Sequence, residues 1–89
     1  MSVKLVQAEM TDRSGIVTVQ ADTQDEALGT PARELVLKEA AKQGLSRPGL
    51  SGSGGAYPVD VAGETSDDLM MGKGQVAGYR CDYRVTGAL

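Results

Sequence analysis

The chain has no histidine, no phenylalanine and no tryptophan, and it has a single cysteine, Cys81. Without histidine it lacks the side chain that most often acts as general acid or base in enzymes. One cysteine excludes an intramolecular disulfide and any metal site built from several cysteines. The sequence therefore favours a protein that is not an enzyme, and it predicts no catalytic residue, no metal site and no cofactor.

Core-forming side chains are also scarce. Eight Leu, nine Val and one Ile make 18 of 89 residues, close to the level of about 20% below which a stable core becomes doubtful. Phe and Trp, which bury the largest areas, are absent. We predict a single domain over residues 1–89 with a thin core, which self-association would supplement.

The charge balance and the apolar runs restrict the partners. The net charge is −3 and neither half of the chain is basic, so nucleic acid and anionic membrane surfaces are disfavoured. Apolar runs of only a few residues are far short of the roughly 20 needed to cross a bilayer. The N-terminus also lacks the long apolar stretch of a secretory signal, and we expect a cytoplasmic protein without membrane contact.

Two stretches near the N-terminus have the composition of β-strands. Residues 3–10 and 16–21 are rich in β-branched or alternating side chains, and residues 11–15 between them contain turn formers. This arrangement predicts a β-hairpin. In the second strand the alternation predicts that Val17, Val19 and Ala21 face the core.

One helix is predicted over residues 31–43. Thr30 can cap it and Pro31 suits its first turn. Gly44 can adopt the left-handed conformation that ends it, and Leu45 can fold back onto the last turn. The preceding residues, 22–30, carry a capping pattern but are interrupted by Gly29, so they are open to interpretation as helix or loop.

The second half is rich in glycine, which predicts long flexible loops at 46–56 and 63–74. Between them, residues 57–62 alternate as a short strand, and Pro58 restricts this strand to a sheet edge. Residues 79–86 have the clearest alternation, with Tyr79, Cys81, Tyr83 and Val85 on one face. The chain is thus predicted to be α+β, in the order ββαββ, with a four-stranded, mostly antiparallel sheet and one main helix on one face.

The possible chemical motifs have simpler structural explanations. The glycines of 52–55 do not match a phosphate-binding pattern and suit a flexible linker better. The acidic residues of 60–68 lack the spacing of a calcium loop and suit a solvated surface. Cys81, with no histidine to activate it, is interpreted as a small core residue.

Two groups of residues are predicted to contact a partner. Methionine adapts to varied contact surfaces, so the apolar cluster of Leu69, Met70 and Met71 inside a polar loop is either a docking tip or a lid over the core. The second group, Arg80, Asp82 and Arg84, forms a charged row on the polar face of the last strand, which either pairs with a partner or is solvated.

The sequence thus predicts a non-enzymatic protein-interaction module that binds a protein partner or self-associates into a homo-oligomer. The alternative is a carrier of a small ligand or cofactor, with a pocket lined by tyrosines at a subunit interface. The candidates for that lining are Tyr57, Tyr79 and Tyr83.

Overall fold

In the computed structural model, which describes residues 3–11 and 14–87, the described residues form four strands and three helices. The strands are β1 (Lys4–Met10), β2 (Ser14–Ala21), β3 (Gly49–Val59) and β4 (Gly78–Thr86); the helices are α1 (Gln24–Leu28), α2 (Thr30–Lys42) and α3 (Asp67–Met70). The strands form one antiparallel sheet in the order β1-β2-β4-β3. The fold is therefore α+β, with β4 between β2 and β3, and with β1 and β3 at the two edges.

The N-terminal hairpin is present as predicted, formed by β1 and β2. Residues 12 and 13 of its predicted turn lie outside the described residues. Val17, Val19 and Ala21 are buried, which confirms the face that the alternation assigned to the core. The pairing register shifts between Leu5 and Gln7, so β1 carries one bulge.

Helix α2 matches the predicted main helix to within one residue at each end. Its first turn contains Pro31, although the residue at its N-cap is Gly29 instead of Thr30. At its C-terminal end Gly44 has φ +107°, and the N–H of Leu45 donates to the carbonyl of Ala40 at 3.1 Å. Leu45 is buried, so the predicted left-handed stop with an apolar contact is confirmed.

The segment that the sequence left open contains the short helix α1. The hydroxyl of Thr23 accepts from the N–H of Glu26 at 3.2 Å, which is the cap that the sequence pattern suggested. The described residues thus contain two short helices, α1 and α3, in addition to the one main helix that was predicted.

Strand β3 differs from the prediction. Residues 49–56 were expected in a loop, yet they are hydrogen-bonded to β4 as part of a strand that spans Gly49–Val59. The predicted strand over 57–62 ends at Val59, and Val61 is 96% exposed. Glycine and serine disfavour strands when judged alone, but the well-formed neighbour β4 supplies the pairing that holds them, and such context overrides β-propensity.

The main core lies between the sheet and helices α1 and α2. It contains the inward-facing residues of β2 and β4 and the small residues of the helices, among them Val17, Val19, Ala27, Ala32, Val36, Ala40, Cys81, Tyr83 and Val85. Val59 and Leu69 are buried as well but lie outside this cluster. They belong to a second contact, where α3 packs against β3.

Candidate functional site

The sheet face away from α1 and α2 is polar. The hydroxyl of Thr18 donates to Oδ1 of Asp82 at 2.5 Å, and Nε of Arg80 donates to Oε1 of Gln20 at 2.9 Å. Each of these pairs joins directly opposite positions of β2 and β4. Two of the three residues in the predicted charged row are therefore already engaged in cross-strand hydrogen bonds.

Part of this polar face is covered by the segment between β3 and β4, residues 60–77. A Cβ atom at Gly63, which has φ +80°, would collide with the guanidinium of Arg80. At the other end of the segment, the N–H of Ala77 donates to the carbonyl of Val59 at 2.8 Å. The predicted open face is consequently covered around Arg80, whereas Arg84 is exposed.

The predicted cluster in the 63–74 loop is divided by the structure. Ser66 caps helix α3 by accepting from the N–H of Leu69 at 3.3 Å. Leu69 is 8% exposed, while Met70 and Met71 are 59% and 69% exposed. Leu69 therefore serves the fold, and the two methionines are the members of the cluster that a partner can reach.

The three tyrosines do not line one pocket. Tyr57 lies opposite Arg80, on the polar face, while Tyr83 lies opposite Ser53 on the core side. Burial raises the pKa of Tyr57, and the negative charge of Asp82 raises it further. Tyr79 is half-buried on the same face as Tyr83.

Tyr83 joins the central strand to helix α1. Its hydroxyl donates to the carbonyl of Ala27 at 2.6 Å in a buried position. The N–H that would normally satisfy this carbonyl belongs to the residue four positions on, which is Pro31 and has none. Tyr83 therefore supplies the donor that the helical backbone lacks.

Cys81 lies in the core next to this contact and is fully buried. Burial raises the pKa of its thiol, an effect that the Tyr83 hydroxyl partly offsets. A thiol held in its protonated form is a poor nucleophile. The position agrees with the interpretation of Cys81 as a core residue.

The edge of the sheet at β3 is the largest feature that the sequence did not reveal. Its residues 51–55, Ser-Gly-Ser-Gly-Gly, are all exposed. A Cβ atom added at Gly49, Gly52 or Gly54 would meet no described atom within 4 Å. Residues 51–55 therefore carry few side chains, and the outer edge of β3 pairs with no described strand. The same glycine-serine composition predicted a loop.

A shallow pocket of about 290 Å³ lies beside this edge. It is lined by Arg33 of α2, by Tyr83 of β4 and by residues 50–53 of β3. The pocket therefore combines one cationic side chain with the exposed backbone of an edge strand.

Other types of site receive no support from the geometry. Within residues 3–11 and 14–87, no three His, Cys, Asp or Glu side chains are grouped so that they could hold a metal ion. None of the helices in the described ranges is long and apolar enough to cross a membrane. Comparison with protein families, with curated proteins and with solved structures found no match to this chain.

Proposed function

We propose that this protein is a non-enzymatic interaction module that binds an extended segment of another protein along the edge of β3. The observation that carries this proposal is the run of five exposed residues, 51–55, on an eleven-residue edge strand. A segment that adds to such an edge gains backbone hydrogen bonds whatever its sequence. Glycines without nearby atoms allow it to approach closely.

The bulges of β3 limit what this edge can bind. Its register with β4 shifts between Leu50 and Gly52 and again between Ser53 and Ala56. Bulges twist an edge strand and interrupt the regular template that promotes aggregation. The edge is therefore suited to a short strand and not to the indefinite stacking of many chains.

The partner that we propose is a different chain and not a second copy. A second copy would bring another β3, which has no charged side chain, and would leave Arg33 of the adjacent pocket without an opposite charge. Self-association is the alternative, and the exposed Met70 and Met71 offer a surface for it. Light scattering after size-exclusion chromatography distinguishes a monomer from such an assembly.

The test uses peptides of about ten residues, the upper length of a typical strand, selected from a phage-displayed random library on the full chain. Each selected peptide is titrated into ¹⁵N-labelled protein. We expect shift changes concentrated at residues 50–56 and new hydrogen-exchange protection of β3 amides. Peptides that instead perturb residues 60–77, or a selection that yields no peptide mapping to β3, would contradict the proposal.

A double variant tests the edge directly. Charged side chains on an edge strand oppose strand addition, so Gly52→Glu with Gly54→Glu is expected to weaken peptide binding at least about tenfold. The control places the same two charges at exposed positions elsewhere, Ala41→Glu with Ala77→Glu, and should bind as the original protein does. Equal binding by both double variants would show that the β3 edge is not the site.

A further inference from the structure

The pocket beside β3 has a charge that sets it apart from the rest of the molecule. Of the described residues that line it, Arg33 is the one that carries a charge, and none is acidic. The chain as a whole has a net charge of −3. This edge is therefore locally cationic on an acidic protein.

The sequence around the strand reinforces this local charge. Residues 44–59 contain Arg47 and no Asp or Glu. Arg84 lies opposite Gly52 on β4 and is exposed. A segment added to β3 would thus lie one strand away from Arg84 and beside the pocket that Arg33 lines.

Arg33 lies beside Tyr83, and the two side chains line the same pocket. Burial raises the pKa of the Tyr83 hydroxyl, and Arg33 acts in the opposite direction. The Tyr83 hydroxyl itself donates to the carbonyl of Ala27. Among the lining side chains, the guanidinium of Arg33 is therefore the group suited to an anion.

We propose that Arg33 binds a carboxylate of the strand that adds to β3, so that the partner is an extended segment with an Asp or Glu side chain at that point. A guanidinium can hold a carboxylate through two parallel hydrogen bonds, which fixes both position and register. The hydroxyl of Ser53 adds a neutral donor at the same pocket. This inference rests on the proposed strand addition and specifies the chemistry of the strand.

The test compares each selected peptide with a version in which its acid is replaced by the matching amide. We expect the acid form to bind the original protein about tenfold more tightly, the range of a charge-assisted hydrogen bond. Arg33→Gln should abolish that preference, and Arg33→Lys should restore only part of it. Lys42→Gln, which removes the same charge from an exposed position of the same helix, should leave the preference unchanged.

The outcomes separate the two proposals. If peptides map to β3 but bind equally as acid and amide, or if Arg33→Gln keeps the preference, the inference about Arg33 is wrong and strand addition stands. If no peptide maps to β3, both are wrong. Free acetate is the probe for a small-anion site: saturable shifts at Arg33 with acetate, together with no acid preference among peptides, would also overturn the inference.

Discussion

The two edge strands of the sheet, β1 and β3, differ in how far their side chains discourage pairing with another chain. Strand β1 has seven residues, and Lys4, Gln7 and Glu9 are exposed along it. Strand β3 has eleven residues, none of them charged, and residues 51–55 are exposed. Charged side chains on an edge strand discourage pairing with other chains, and β1 has them while β3 does not.

The comparison indicates which edge lacks side-chain protection against pairing with another chain. On β1, Gln7 donates to Glu9 at 2.6 Å, so polar side chains follow one another along this strand. On β3 the protection is limited to two bulges and to Pro58, which lies at the end furthest from Gly49. The exposed residues 51–55 of β3 are consistent with a binding site for a strand of another chain, whereas the charged side chains of β1 disfavour one.

The largest effect that we predict contrasts glycines near the two edges. Gly15 of β2 pairs with Met10 of β1, and a Cβ atom there would lie 2.5 Å from the carbonyl oxygen of Glu9. Gly15→Ala should therefore destabilise the protein by about 2 kcal/mol, the typical cost of overpacking. Gly54→Ala, with open space around it, should raise stability by about 0.5 kcal/mol by restricting the unfolded chain.

Chemical denaturation of the two variants measures this difference. A loss of about 2 kcal/mol in Gly54→Ala would mean that the β3 edge is as closely packed as the β1 side, and the contrast between the edges would disappear. Little change in Gly15→Ala would show that the β1–β2 hairpin can relax around an added methyl group.

Where the sequence carried a strong periodic signal, the structure agrees with it. The alternation over 79–86 and the C-terminal stop of α2 are local, because each depends on residues a few positions apart. Leu45 and Gly44 form the predicted helix stop. These elements could be placed without knowledge of their neighbours.

The candidate site could not be predicted in the same way. Strand β3 exists because β4 pairs with it, and the position of Arg33 beside residues 50–53 depends on how α2 lies on the sheet. The covering of Arg80 by Gly63 likewise joins positions far apart in sequence. Glycine and serine have little side-chain signal of their own, so composition alone favoured a loop.

A smaller effect is expected from Tyr83→Phe. This variant tests whether the hydrogen bond between β4 and α1 contributes to stability independently of the pairing between β4 and β3. Loss of the hydroxyl leaves the buried carbonyl of Ala27 without this donor, which should cost about 1.5 kcal/mol. Tyr79→Phe, on the same face but half-buried, is the control and should change stability by less than about 0.5 kcal/mol. In Tyr83→Phe we expect faster hydrogen exchange of the amides of α1 and unchanged exchange in β3. Faster exchange confined to β3 would contradict this expectation.

The smallest effect is a pH dependence centred on Cys81, which lies between Val19 of β2 and Ala56 of β3. Burial raises the pKa of its thiol above the ordinary 9.0, so the folded protein holds this proton more tightly than the unfolded chain does. The stabilisation is complete below pH 9.0 and is lost as the pH rises above it, because the unfolded chain ionises first.

Urea midpoints measured from neutral to alkaline pH should therefore decline above that value. In Cys81→Ala the decline should begin nearer 10.0, the ordinary pKa of Tyr57 and Tyr83, both of which are also raised. If the urea midpoint of Cys81→Ala began to decline at the same pH as that of the original protein, the thiol would already be in contact with water. The pairing of β3 with β4 would then open more readily than the structure implies.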